Sequence, residues 1–197
     1  MKHIKFFIIV SFLFLSVPLC AADDGYFPDK IFSSERPDMH KFVSDWYCKH
    51  LNVLEEPSIY EQKSDKSKQI IRFTWLRTFH NPIALRLEIN DKGSGTFFIK
   101  KSNDAGGYEP GKIIKNEKKE IGKDTVNAII KSVEDSNLWG LPSKVEEQGL
   151  DGSHWIIELL SNGNYHLIDR WSPKSGPIRK LAISFIELSD LKVKEIY

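Results

Sequence analysis

The stretch that decides the fold is GLDGSHWIIELLSNGNYHLIDRWSP, residues 149–173. It contains two runs of aliphatic and aromatic residues, and the turn sequence Ser161-Asn162-Gly163-Asn164 separates them. Asn-Gly is a strong hairpin signal because both residues tolerate positive φ. The stretch therefore predicts two antiparallel strands joined by a tight turn. Because successive side chains point to opposite faces and neither strand separates apolar from polar residues, we expect a central strand pair with both faces covered.

The hairpin also carries many polar ionisable side chains. They are Asp151, His154, Glu158, His166, Asp169 and Arg170. One interpretation is a pocket or a partner-binding face. The other is a sheet with a solvated edge and one cross-strand ion pair, which is worth roughly 0.2–1 kcal/mol. Both interpretations stay open at this stage.

Hydrophobic periodicity predicts the elements around the hairpin. The predicted helices begin at Asp38, Lys123 and Pro177, and the predicted strands span 70–79, 83–89 and 96–101, with a short edge strand at 113–114. The three longer strands should form an antiparallel meander, with Arg86 pointing outward from the second of them. The first helix carries an apolar stripe, with Cys48 off its centre; the stripe consists of Met39, Phe42, Val43, Trp46, Tyr47, His50, Leu51 and Leu54. The Lys-rich stretches 63–68 and 112–123 have the composition of solvated loops. Runs of strands with helices between them are typical of α+β proteins. We predict a single α+β domain with an antiparallel sheet of about five strands and three helices packed mainly on one face.

The chain begins with the pattern of an export signal. Lys2 and Lys5 precede the apolar run 6–19, and small residues follow at Ala21 and Ala22. The run is shorter than the roughly 20 residues that a membrane-spanning helix needs. The expected organisation is a signal peptide at 1–22, a loose lead-in at 23–37 and a single α+β domain at 38–197.

Cysteine usage bears on the compartment. Cleavage after Ala22 leaves Cys48 as the single cysteine, so no internal disulfide is expected. Cys20 closes the apolar run and offers a lipid anchor as the alternative. Leu19 stands where a small residue normally precedes a lipidated cysteine, which favours a periplasmic or secreted protein.

Charge argues against nucleic acid as a partner. The full chain has 28 Lys and Arg against 27 Asp and Glu, and removing residues 1–22 takes away two lysines, so the mature charge is 26 − 27 = −1. Nucleic-acid binders usually show a strong basic excess. We expect a protein or small-molecule partner, no nucleic acid and no transmembrane segment after cleavage. The oligomeric state is not fixed by the sequence.

The residue types of a hydrolase are present, but their pattern is unspecific. Ser153 and His154 with Asp151 or Asp169 supply a nucleophile, a base and an acid. Neighbouring strand residues point to opposite faces, so Ser153 and His154 cannot meet directly. The sequence has no Gly-x-Ser-x-Gly or His-Glu-x-x-His motif. We assign no catalytic residue, no cofactor and no metal ligand, and keep a hydrolase using His and Asp of the hairpin as an alternative.

Aromatic and cationic side chains at strand ends favour binding, because Trp, Tyr and Arg dominate interface energies. The predicted binding residues are Arg77, His80, Arg86, Asp151, Trp155, His166, Asp169, Arg170 and Trp171. We expect an exported binding protein without catalytic activity, of which an inhibitor or immunity-type protein is one form. An envelope-associated structural lipoprotein is a further alternative.

A set of motifs extends across most of the mature chain. They are WYCKHL (46–51), EPS (56–58), RFTWLRTFHNP (72–82), GGYEPG (106–111), LDGSHWIIE (150–158) and YHLIDRWSP (165–173). On these motifs the chain resembles a family of exported bacterial proteins of unknown function. The resemblance implies a shared fold, and it implies no activity, substrate or catalytic residue.

Overall fold

A computed structural model describes residues 26–33, 35–145 and 149–197. The described part of the chain contains three α-helices and one six-stranded sheet. The strands are β1 (Gln69–Arg77), β2 (Ile83–Ile89), β3 (Gly95–Ser102), β4 (Ile113–Ile121), β5 (Ser153–Ser161) and β6 (Asn164–Trp171). The helices are α1 (Pro37–Val53), α2 (Lys123–Asp135) and α3 (Pro177–Leu188). The predicted single α+β domain is confirmed, with six strands rather than about five.

The sheet is antiparallel throughout, in the order β4-β3-β2-β1-β5-β6. The predicted meander and hairpin are both present, and Asn162 and Gly163 have φ of 52° and 78°. The central position predicted for the hairpin is wrong, because β1 lies in the centre and β6 at the edge. The edge of β6 is covered by a loop, since the Asp169 amide donates to the Ser143 carbonyl at 2.7 Å. This cover explains why an edge strand carries the apolar pattern of a central one.

Helices α2 and α3 pack on one face of the sheet, here called the α2/α3 face. Ile71, Phe73 and Trp75 of β1 belong to its core, which also contains Val126 of α2 and Phe185 of α3. Alternate residues of β1 point to this face, as the sequence predicts. The prediction that the helices pack mainly on one face holds for α2 and α3, which are two of the three helices.

Helix α1 covers the opposite face, here called the α1 face. Tyr47 and Leu51 of α1 pack there with Leu76 of β1, Ile156 of β5 and Leu167 of β6. Both faces of β1 and β5 are therefore buried, as expected for the hairpin.

The described part of the predicted lead-in belongs to the domain. Tyr26, Phe27 and Phe32 are at most 7% exposed and join the core on the α1 face. Residues 26–33 have no regular helix or strand, which fits a lead-in, but three aromatic rings anchor them. The domain thus begins before residue 38. The signal peptide predicted at 1–22 lies outside the described residues.

The predicted apolar stripe of α1 is partly wrong. Met39 and Phe42 are exposed, and Cys48, assigned off the centre of the stripe, is buried. Cys48 is disulfide-bonded in the full chain, whereas the expectation of a single cysteine concerns the chain after cleavage and stays a prediction.

Strand β4 replaces most of the loop predicted at 112–123. It pairs with β3 from Gly95↔Ile121 to Ser102↔Ile113 and forms the outer edge of the sheet. Because this strand is rich in lysine and glutamate, its composition resembles that of a loop and does not predict a strand. Charged side chains are also what protects an exposed edge from pairing with other chains.

Candidate functional site

A buried ion network lies on the α1 face. Arg72 on β1 is paired with Glu158 on β5, and its Nε donates to Glu158 Oε2 at 2.7 Å. Glu56 follows α1 and accepts from Arg86 Nε at 2.7 Å, with Lys100 Nζ at 3.1 Å from its Oε1. These five side chains are no more than 7% exposed.

The network holds the segment after α1 onto the sheet. Burial of Glu56 favours its neutral form, but Arg86, Arg72 and Lys100 outweigh that effect and lower its pKa. Arg86 was predicted to point outward and to bind a partner. The structure buries it under Glu56 and over the Phe98 ring at 4.0 Å, because its face of β2 lies under the chain after α1.

A second polar group joins α1, β5 and β6. Tyr47 Oη donates to Asp169 Oδ2 at 2.8 Å, and His154 Nδ1 lies 2.9 Å from Asp169 Oδ1 and 2.7 Å from Tyr47 Oη. An ionised carboxylate accepts only, so the geometry assigns the imidazole proton to Nδ1. Burial and the neighbouring Asp169 raise the pKa of Tyr47. The phenol therefore stays a donor to Asp169, and His154 presents Nε2 as an acceptor.

Beside this group lies a cavity of about 140 Å³, here called the His154 cavity. Its lining residues are Lys144, Val145, Gly149, His154, Asp169 and Trp171. The His154 ring contacts the rings of Trp46 and Trp171, with centroids 5.1 and 4.8 Å away, and its side chain is 17% exposed. An imidazole held in this way accepts a hydrogen bond or takes a proton at Nε2.

Three connections meet at one end of the sheet, here called the loop end: residues 78–82, 103–112 and 149–152. The Gly106 amide donates to the His80 carbonyl at 3.0 Å, and the Thr78 amide donates to the Gly152 carbonyl at 2.9 Å. Trp46 of α1 joins them, since its Nε1 donates to the Gly106 carbonyl at 3.0 Å. The loop end also carries large exposed apolar side chains, namely Phe79, Tyr108 and Leu150.

Further predicted residues surround Tyr197. Trp155 Nε1 donates to the Tyr197 main-chain oxygen at 2.8 Å, and His80 Nδ1 lies 2.6 Å from Tyr197 Oη. Arg77 is buried with its guanidinium 4.2 Å from the centre of the Trp75 ring. These residues lie on the α2/α3 face or at its edge, away from His154.

His166 and Arg170 fasten the loop that covers β6. His166 Nε2 donates to the Leu141 carbonyl at 2.9 Å, and Arg170 Nη2 donates to the Pro142 carbonyl at 2.7 Å. Burial lowers the pKa of His166, with a further contribution from Arg170. Main-chain carbonyl groups of the covering loop therefore accept hydrogen bonds from both side chains.

The predicted binding residues are therefore distributed over several places. Asp169 and Trp171 line the His154 cavity, and Asp151 is exposed at the loop end. His80, His166, Asp151 and Arg170 do not converge in one cleft. Sequence reasoning missed the role of Tyr47, which it assigned to the apolar stripe of α1. A phenol within such a stripe was the available signal, since a buried Tyr usually finds a hydrogen-bond partner.

Comparisons with known proteins add no family. The chain matches none of the protein-family models and none of the curated proteins with which it was compared. No helix in the described ranges is long and apolar enough to cross a membrane. Across residues 26–33, 35–145 and 149–197, no three His, Cys, Asp or Glu side chains are grouped as metal ligands.

Proposed function

We propose that this chain is an exported binding protein whose partner contacts the loop end and reaches the His154 cavity. The observation that carries the proposal is the exposure of Phe79, Tyr108 and Leu150, with Leu150 97% exposed, on connections pinned to one another. Large apolar side chains on a fixed surface cost little ordering entropy when they are covered. A cluster of such side chains is typical of an interaction site.

The size of the cavity favours a protein partner. Pockets for drug-sized ligands have volumes of roughly 300–1,000 Å³, whereas the His154 cavity has about 140 Å³. That volume admits one side chain of a partner rather than a whole ligand. A partner hydroxyl or amide donating to His154 Nε2 at the edge of an apolar contact is the arrangement of an inhibitor or immunity-type protein.

The Asp169–His154 pair also supports a second candidate, a hydrolase. A carboxylate that orients Nδ1 leaves Nε2 as a general base for water. Among the described lining residues, however, there is no Ser, Thr or Cys nucleophile. His154→Gln removes the base while keeping polarity, so loss of turnover in a hydrolase screen, with partner binding retained, would favour this candidate.

Photo-crosslinking tests the binding surface. A benzoylphenylalanine in place of Tyr108 should crosslink to a discrete partner in cells that export the protein. The same group in place of Lys66 should not, because Lys66 is exposed beside the Gly163 turn at the other end of β5. His154→Gln should lower the affinity of the purified partner by about fivefold, since one hydrogen bond is worth roughly 1 kcal/mol. Equal crosslinking from both positions would contradict the proposed surface.

The proposed export signal has its own test. Cleavage after Ala22 removes Cys20 and leaves Cys48 as the one cysteine of the mature sequence. Exported protein, unfolded without reductant, should then bind one equivalent of a thiol reagent, and its intact mass should start at residue 23. Zero equivalents, or a lipid mass on Cys20, would show that cleavage spares Cys20 and would favour a different mature form.

A further inference from the structure

A cavity of about 200 Å³ lies at the end of the sheet opposite the loop end, here called the turn-end cavity. It is bounded by α2, by the turn that follows α2, and by the ends of β1 and β5 near the Asn162-Gly163 turn. None of the residues that line it also lines the His154 cavity, so the two cavities are separate.

The inner wall of the turn-end cavity is apolar. Ile71, Val133 and Leu159 belong to the core on the α2/α3 face, and Ile130 packs against that core. An apolar cavity of about 150 Å³ already takes up benzene. The turn-end cavity, at about 200 Å³, therefore has room for one aromatic ring and a short chain attached to it.

The rim of the cavity carries hydrogen-bond acceptors and one negative charge. Among the described lining residues Glu134 alone is ionisable, and it is exposed. Lys131, one turn earlier on α2, is paired with Asp135 at 3.0 Å, and across the described part of the chain no ion pair involves Glu134. Gln69 Nε2 donates to Ser161 Oγ at 3.4 Å, which leaves Gln69 Oε1 as an acceptor. The rim therefore favours a ligand group that donates hydrogen bonds and is positively charged.

An indole completes the wall between the apolar interior and the solvent. Trp139 lines the cavity and is 37% exposed. Its position is fixed by the turn, in which the Gly140 amide donates to the Asn137 carbonyl at 3.0 Å, and by the His166 ring, whose centroid is 6.2 Å away. The face of an indole attracts a cation, and a side chain that is already fixed loses little entropy on binding.

We propose that the turn-end cavity is a binding site for a small primary amine that carries an aromatic ring. The ring occupies the apolar interior between Ile130 and Leu159. The ammonium group lies at the rim, where it donates to Glu134 and Gln69 and contacts the Trp139 indole. This site goes beyond the binding function proposed above, because it lies at the other end of the sheet and takes a small molecule rather than a protein.

An NMR titration of the exported protein tests the proposal. The probe is phenethylamine, and the matched probes are phenethyl alcohol and phenylacetate, which keep the ring but carry a neutral or a negative group. The amine should shift the indole N–H resonance of Trp139, assigned with Trp139→Phe, to saturation. The resonance of Trp75, which is buried near the loop end, should not move. The amine should bind about fivefold tighter than the alcohol, as one exposed charge contact predicts, and phenylacetate should bind more weakly than either.

Substitutions separate the roles of the rim and the interior. Glu134→Gln keeps the shape of the side chain but removes its charge, so the amine and the alcohol should then bind within about twofold of each other. Glu187→Gln, at an exposed glutamate of α3 that does not line the cavity, should keep the fivefold preference. Ile130→Phe fills the interior and should abolish binding of both probes.

Three outcomes would overturn the proposal. They are the absence of a saturable shift of Trp139 in the folded wild type, equal affinity of the wild type for the amine and the alcohol, and a preference for the amine that persists in Glu134→Gln. The first outcome needs no variant, and Glu134 is exposed, so loss of folding does not obscure the result. None of the three depends on the partner of the loop end, which is detected separately by crosslinking.

Discussion

Glu56→Gln should lower the free energy of unfolding by about 3–5 kcal/mol at pH 7, because removing one partner of a buried ion pair leaves uncompensated charge. Glu56 lies between the three cations Arg72, Arg86 and Lys100. Glutamine keeps the shape but not the charge, so the buried cations lose their common anion. Domains are stable by only about 5–15 kcal/mol, so this change would consume much of the total. Urea unfolding followed by tryptophan fluorescence measures it.

The matched control is Glu61→Gln, at an exposed glutamate in the same part of the chain. Its effect should stay within about 0.5 kcal/mol, as for most surface substitutions. A loss from Glu56→Gln as small as that of the control would mean that the network contributes no net stability.

The contribution of Glu56 to the free energy of unfolding should decrease as the pH falls. The folded state lowers its pKa below the ordinary value of 4.5, so its stabilising contribution is present above pH 4.5 and is lost as pH falls through the folded pKa. The stability difference between wild type and Glu56→Gln should therefore be constant near neutrality and shrink below pH 4.5. A difference that grows on acidification would contradict the assignment.

Gly106→Ala should destabilise the domain by about 1–3 kcal/mol, the usual range for overpacking. A Cβ at Gly106 would lie 2.6 Å from the Arg77 amide nitrogen and 2.8 Å from main-chain atoms of Leu76. Main-chain atoms of a central strand cannot move aside, so the 103–112 connection must shift. The shift would also break the hydrogen bond from Trp46 Nε1, which its indole NMR resonance would report.

Gly140→Ala serves as the control for Gly106→Ala. The nearest atoms to its Cβ belong to the Asn137 side chain, which can rotate away. Its unfolding free energy should stay within about 0.5 kcal/mol of wild type. If Gly106→Ala behaves in the same way and still crosslinks from position 108, the loop end is not held as rigidly as its contacts indicate.

Local patterns in the sequence predicted most of the secondary structure. The Asn162-Gly163 turn and the alternation along β2 depend on neighbouring residues, and both are present at the expected positions. Most of strand β4 was predicted as a loop because its mixture of lysine, asparagine and glutamate is equally typical of a loop and of an exposed edge strand. The central position of β1 in the sheet could not be predicted from neighbouring residues, because it results from pairing with β5 far along the chain.

The candidate site was less predictable because its contacts are long-range. Asp169 and His154 were both recognised as polar residues of the hairpin, but Tyr47, which completes the group, is 107 residues from His154. Arg86 and Trp155 illustrate the opposite error. Their residue types suit an interface, yet tertiary packing buries both. Residue type alone does not distinguish a buried network from an exposed one.

The position of β1 between β2 and β5 also sets when the chain can fold. Gln69 pairs with Ser161 across 92 positions of sequence, so one long side of β1 stays open until the second half of the chain arrives. Non-local strand pairing slows folding. A chain that leaves the ribosome or a translocation channel from its amino terminus would therefore remain loosely organised through β4 and α2. Under the export proposed above, slow closure of this kind would keep the chain unfolded while it crosses a membrane.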